Sequence, residues 1–202
     1  MDRMVREVVL DTETTGLNPA NGDKIIEIGA LELLDHVPTG IFFHVYLNPE
    51  RKIPYESVRI HKITDAFVAN KPLFRDVAND LLSFINNSLL VIHNAEFDLK
   101  FLNNELETNN LPKLNCPIID TLALAREKYP GSSASLDSLC KRFHIDITAR
   151  KKGGHGALTD SILLADVYLE ILGGKQPKLR LESNFESKKD EVVDFLDQSE
   201  KV

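Results

Sequence analysis

Apolar positions along the chain fall into two rhythms, short dense runs in the first third and helical spacing after it. Val8-Val9-Leu10 leads into Asp11-Thr12-Glu13 and then the turn-prone Thr15-Gly16-Leu17-Asn18-Pro19, which predicts a strand closed by a turn. Ile25 to Leu31 and Ile41 to Leu47 predict two antiparallel neighbours of that strand. Pro72 opens a helical pattern that sets Leu73, Val77, Leu81, Leu82 and Ile85 on one face. Leu89 to His93 reads as a short buried strand, followed by helical spacing through Phe97, Phe101, Leu102 and Leu106. Ile118-Ile119-Asp120 is a brief strand and Thr121 to Lys128 a short helix. Ser135 opens another helix, with Leu136, Leu139 and Phe143 facing inward, and a last one runs from about Leu158 to Leu172 before Gly173-Gly174. Three strands followed by alternating helices and strands predict an α/β domain around a mixed β-sheet flanked by helices. Beyond Gly174 the chain turns polar through Gln176-Pro177 to Ser187-Lys188-Lys189-Asp190, then offers a small amphipathic piece, Val192 to Leu196. The expected division is a domain over 1–174 and a linker with a short C-terminal tail over 175–202, with no internal repeat.

Composition narrows this picture at four points. At 43% hydrophobic, the 202 residues suffice for one core and a modest appendage. No apolar run approaches the roughly 18 residues of a membrane span, and the N-terminus lacks the pattern of a secretory signal, so the expected compartment is the cytoplasm. Cys116 and Cys140 are far apart without metal-ligand spacing and read as small, buried, reduced thiols. With 24 basic and 31 acidic residues the net charge is −7, which argues against broad electrostatic coating of nucleic acid. A polyanion can still be held where the acids gather metal ions, because the cations then supply the local positive charge.

Three acidic motifs decide between those cases. Asp11 and Glu13 lie two apart at a strand's end and therefore point to one face. Two adjacent carboxylates repel unless a cation sits between them. A pair of solvated acids is the ordinary explanation of a lone D-x-E. His93-Asn94-Ala95-Glu96-Phe97-Asp98 carries Asp98 into the first turn of a helix, where the dipole alone favours an acid. Asn94 there shapes a turn, and His93 is equally consistent with a satisfied core histidine. His155-Gly156-Ala157-Leu158-Thr159-Asp160 follows Gly153-Gly154 and allows one site to hold both His155 and Asp160. Just upstream, Lys141, Arg142, Arg150, Lys151 and Lys152 form a basic patch whose plain explanation is a solvated loop.

Taken in order, D-x-E, N-x-x-x-D and H-x-x-x-x-D resemble the pattern of the DEDDh exonucleases of the ribonuclease-H-like superfamily. The resemblance covers roughly residues 5 to 174. Val91 to Asn94, Ser135 to Cys140 and His155 to Leu158 look most like the proofreading branch that serves bacterial DNA polymerase III. It implies a ribonuclease-H-like fold and a 3′→5′ exonuclease that hydrolyses DNA from its 3′ end to nucleoside 5′-monophosphates. It implies two divalent metal ions, Mg²⁺ with Mn²⁺ as substitute, roughly 3.5–4 Å apart. In that scheme Asp11 bridges the metals, Glu13 and Asp160 complete the ion beside the attacking water, and Asp98 serves the other ion through water. His155 is the general base. Thr14, Thr15, Gly16, His61 and Phe97 would line the pocket for the 3′ end, with Phe97 stacking on a base or, as readily, packing in the core. His61 reads as lying in a polar turn. Asp120 and Asp137 read as helix-start residues, not ligands.

Gln176, Leu179 and Leu181 resemble a short sliding-clamp-binding motif, and Val192, Val193, Phe195 and Leu196 would anchor the polymerase III alpha subunit. A disordered polar tail is the plain alternative. Two rival functions remain at this point: a standalone DEDDh nuclease trimming RNA or short oligoribonucleotides, and a catalytically silent interaction module on the same scaffold. A dinucleotide-binding enzyme is disfavoured, since no G-x-G-x-x-G follows the first strand.

Overall fold

The computed structural model describes residues 4–148, 150 and 154–174. A five-stranded sheet runs through it, formed by β1 (Arg6–Thr14), β2 (Ile25–Leu34), β3 (Val37–Tyr46), β4 (Leu89–Ile92) and β5 (Ile118–Asp120). Their order is β3-β2-β1-β4-β5. β1 pairs antiparallel with β2 and parallel with β4, β2 pairs antiparallel with β3, and β4 pairs parallel with β5. Around the sheet lie α1 (Tyr55–His61), α2 (Asp65–Val68), α3 (Phe74–Ile85), α4 (Ala95–Thr108), α5 (Thr121–Lys128), α6 (Leu136–Arg142) and α7 (Ala157–Leu172). The expected mixed α/β architecture is therefore observed.

Period-two alternation along β1 splits the core into two layers. Val8 and Leu10 join Leu90, Ile92, Leu81 of α3 and Phe101 and Leu102 of α4 on one face. Val9 joins Val91, Leu139 of α6 and Leu164 and Tyr168 of α7 on the other. Fully burying such a side chain stabilises the fold by roughly 1.5–3 kcal/mol. Both layers grip the central strand, which makes β1 a rigid base for the acidic residues at its C-terminal end.

The boundaries differ from the sequence pattern where local signals are weak. β3 begins at Val37, earlier than the apolar run at Ile41, because its first six residues are exposed on the sheet's edge and need no apolar pattern. α1 and α2 carry no long periodic stretch, so the apolar pattern does not predict them. Thr64 caps α2 by accepting from Phe67 N at 3.3 Å, and Asp65 Oδ1 accepts from Ile53 N at 2.8 Å. α4 starts at Ala95 because Asn94 takes the left-handed conformation (φ 66°, ψ 55°) that turns the chain from β4 into the helix. Cys116 is half-buried and Cys140 buried, both unpaired, and burial pushes the Cys140 thiol up to about 11.

Candidate active site

Four segments converge at the end of β1. The alternation that places Val9 against α7 also sends Asp11 and Glu13 to that side, while Thr12 faces α4 with Leu10. Thr12 Oγ1 donates to Asp98 Oδ1 at 2.7 Å, so the strand itself holds the carboxylate that α4 delivers. Asp98 is 3% exposed. α7 delivers Asp160 in its first turn, also 3% exposed. Gly29 sits directly opposite Asp11 in the β1–β2 register. A Cβ there would lie 2.2 Å from Leu158 N, so only glycine lets the start of α7 close onto the sheet. Ser161 Oγ donates to the Gly29 carbonyl at 2.8 Å and fixes that approach. His155, half-exposed, precedes α7 and donates from its backbone N to Ile60 O at 3.2 Å.

The electrostatics are those of acids crowded together. Burial, then the charges of Asp98, Glu13, Asp160 and Glu27, holds Asp11 well above the usual carboxyl range. Burial and Glu27 push Glu13 up to about 8. Burial pushes Asp98 up to about 7 against the opposing Thr12 hydrogen bond. Glu13, His155 and Asp160 offer ligand atoms that all lie within 4.8 Å of one another. Glu27 Oε2 and His61 Nε2 are buried without a hydrogen-bond partner, while Asp160 Oδ1 lies 2.8 Å from Arg150 Nε. Mutually repelling carboxylates with an orphaned oxygen fit hard divalent cations, which bind oxygen ligands and remove the repulsion.

Two residues of this cluster were not singled out by the sequence. Glu27, 2% exposed, pairs across the sheet with Glu13, and its Oε1 lies 2.8 Å from His44 Nε2. Its signal was present: a charge inside the apolar run Ile25-Ile26-Glu27-Ile28 is costly to bury without purpose. Arg150, expected in a solvated loop, is only 9% exposed. Its Nη2 donates to Asp160 Oδ2 at 2.9 Å and to His155 Nδ1 at 2.7 Å, and its Nη1 pairs with Asp137. Nothing local distinguished it from Lys141 and Arg142, which are more exposed. Lys151 and Lys152 fall outside the described residues.

Of the residues expected around the 3′ end, Thr14 and Thr15 are buried in a braced turn. Thr14 Oγ1 donates to Gly16 O at 2.6 Å, Thr15 N donates to Lys24 O at 2.9 Å, and Ser57 Oγ donates to Thr15 O at 3.0 Å. His61 is not in a polar turn: it ends α1, is 4% exposed, and its Nδ1 accepts from Ile63 N at 3.0 Å. Burial lowers its pKa, opposed by Glu27 and reinforced by His155, which puts the ring beside the same cluster. Phe97 is half-buried, 5.1 Å from the Phe101 ring, at the margin of the core. Half-buried His93 bonds Thr121 Oγ1 at 2.9 Å. Asp120 caps α5 and also accepts from Asn94 N and Ala95 N at 3.1 and 3.2 Å, while Asp137 lies in the first turn of α6. Gln176, Leu179, Leu181 and the 192–196 segment lie outside the described residues.

A mixed sheet whose central strand ends in clustered carboxylates, completed from two helix starts, defines a hydrolase of the nuclease class. The sequence pattern of the Exonuclease family matches residues 8–168, and the chain belongs to that family. It is 50% identical over 181 residues to the DNA polymerase III subunit epsilon of Rickettsia conorii, covering 88% of this chain and 78% of that protein. It shares 29% identity and a TM-score of 0.64 with the solved structure of Exonuclease X in complex with 5′ overhanging duplex DNA, covering 82% of this chain and 90% of that one. The nuclease domain of 3′hExo, a DEDDh family member bound to rAMP, shares the ribonuclease-H-like fold (TM-score 0.73, 20% identity, 91% and 99% covered). The protein is a 3′→5′ exonuclease, and its family implies divalent metal ions. No helix among the described residues is long and apolar enough to cross a membrane.

Proposed function

We propose that this chain proofreads DNA synthesis in a bacterial cytoplasm, removing nucleotides singly from a 3′ end and releasing nucleoside 5′-monophosphates beside a replicative polymerase. The observation that carries this is the junction of Asp11, Glu13, Asp98 and Asp160 with His155 in a chain half identical to an epsilon subunit over most of its length. Those four carboxylates would hold two Mg²⁺ ions, with Mn²⁺ able to substitute, and the ions would supply a nucleophile and brace the leaving oxygen. His155 serves as general base. Arginine is always a donor, so with Arg150 on Nδ1 the neutral ring carries its proton on Nε2. To accept a proton at Nε2 the ring gives Nδ1–H to an acceptor, and Asp160 Oδ2, 3.4 Å away, is in reach. Thr14, Thr15, Gly16, His61 and Phe97 line the pocket for the terminal nucleotide. The catalytic unit spans 1–174; the 175–202 tail contacts the sliding clamp through Gln176, Leu179 and Leu181, and the polymerase III alpha subunit beyond them.

The test is digestion of matched 5′-labelled DNA and RNA single strands with Mg²⁺, comparing wild type with Asp11→Ala and His155→Ala. A one-nucleotide ladder on DNA is expected, reduced by at least about 10²-fold in either variant. Faster shortening of RNA would move the protein to RNA processing. Near-wild-type turnover by a variant would remove that residue from the chemistry.

A further inference from the structure

Outside the acid cluster, at the start of α4, lies an open groove of about 540 Å³. His93, Asn94, Arg126, Ser132, Ser133 and Ser135 line it, and no acidic side chain does. That is unusual on a chain with a net charge of −7. Arg126 is exposed and makes no ion pair among the described residues. Arg142 adds a second cation behind the wall: its Nη2 donates to Ser132 Oγ at 2.8 Å while its guanidinium lies 4.4 Å from the centre of the Tyr129 ring. Asp120, the acid beneath the groove, has its carboxylate engaged by the backbone N–H groups of Asn94, Ala95, Leu122 and Ala123, which spread its charge. What remains to bind is the Arg126 guanidinium and the Ser132 hydroxyl, whose oxygen accepts from Arg142 and whose proton is left to donate, because Ser135 gives its O–H to Ser138 Oγ and Ser133 Oγ lies 2.8 Å from that same oxygen. A guanidinium with a hydroxyl beside it suits phosphate oxygens.

The position matters as much as the chemistry. Asn94 lines the groove, and Asp98 lies four residues further along α4, a rise of about 6 Å. The groove therefore borders the same helix start that delivers Asp98 to the acid cluster. We propose that it seats a backbone phosphate of the bound strand, upstream of the nucleotide being removed, with Arg126 as its charged contact. This inference rests on the exonuclease function proposed above.

The experiment compares the full chain with its Arg126→Ala variant, an exposed substitution that spares the core. Fluorescence anisotropy with a 5′-fluorescein oligothymidylate in Ca²⁺ measures affinity across a salt series. The variant should bind about fivefold or more weakly, and its log–log salt slope should shrink by about 0.7, the value for one phosphate contact on a single strand. In parallel, kcat/KM is measured on an unlabelled oligothymidylate and on the p-nitrophenyl ester of thymidine 5′-monophosphate, which is too short to reach the groove. The ratio of the two should fall by about fivefold or more. An unchanged slope with unchanged affinity would overturn the proposal. So would a variant that loses competition by inorganic phosphate while binding the strand normally, since the site would then serve free phosphate. If wild type hydrolyses neither substrate, the exonuclease function fails, while the binding comparison still judges the groove.

Discussion

Arg150 shows how much a single side chain can organise. It is the only described arginine or lysine bonded to the acid cluster, and its charge opposes the burial and repulsion that push the Glu13 carboxyl up. Removing it should raise the Glu13 pKa further, because its lowering charge is lost. Arg150→Gln is thus expected to cut turnover near neutral pH by about tenfold, with part of the loss recovered in more alkaline buffer. A pH–rate profile checks this, and an unshifted profile would show that Arg150 acts only as a brace. In sequence Arg150 was one of five basic residues around a loop, and nothing local told it apart. Asp11, Glu13, Asp98, His155 and Asp160 were legible because their spacing forms an ordered pattern. Glu27 was half legible, a charge in an apolar strand whose purpose appears only when Glu13 is found opposite.

Among the elements, α7 starts in close contact with the sheet, and Gly29 sets the distance. The clash that a methyl group would create is with backbone atoms of Ala157 and Leu158, which cannot swing aside as a side chain can. Gly29→Ala is expected to destabilise the protein by about 1–3 kcal/mol through overpacking. It should also lower activity well beyond what the stability loss explains, because Asp160 moves with the helix. Thermal melts and turnover measured well below the melting temperature separate the two effects. A variant with normal turnover would mean that α7 accommodates the methyl group without moving Asp160. The strong helices α3, α4 and α7 were legible from their spacing. α1 and α2 were not, since two short turns held by Thr64 and Asp65 leave no periodic trace.

Taken whole, the molecule holds ionisable groups where their charge is unwelcome. A group whose folded pKa is raised adds stability that is full below its unfolded pKa and is lost as pH climbs through the folded value. For Glu13 that window runs from 4.5 to about 8, and for Asp98 from 3.8 to about 7. Metal-free protein is therefore expected to melt at progressively lower temperature as buffer moves from about pH 5 to about pH 8. Mg²⁺ should restore more of the loss at the upper end, where the cluster it binds is ionised. Scanning fluorimetry with and without chelator reads both trends; a chelated melting temperature that rises over this range would contradict the acid-cluster account. At the opposite end of the sheet Glu7 is fully buried too, but there Tyr168 Oη and His36 N satisfy it at 2.8 and 2.9 Å. The contrast is one of partners, and it is invisible along the chain. By itself the sequence determined the α/β class, the main strands and helices and the ordered acid motifs, because periodicity and turn chemistry act over a few neighbouring residues. Only tertiary structure decided that Glu27 faces Glu13, that Arg150 turns inward and that Gly29 admits α7. Those contacts join residues distant along the chain, and their energies depend on burial and charge in space.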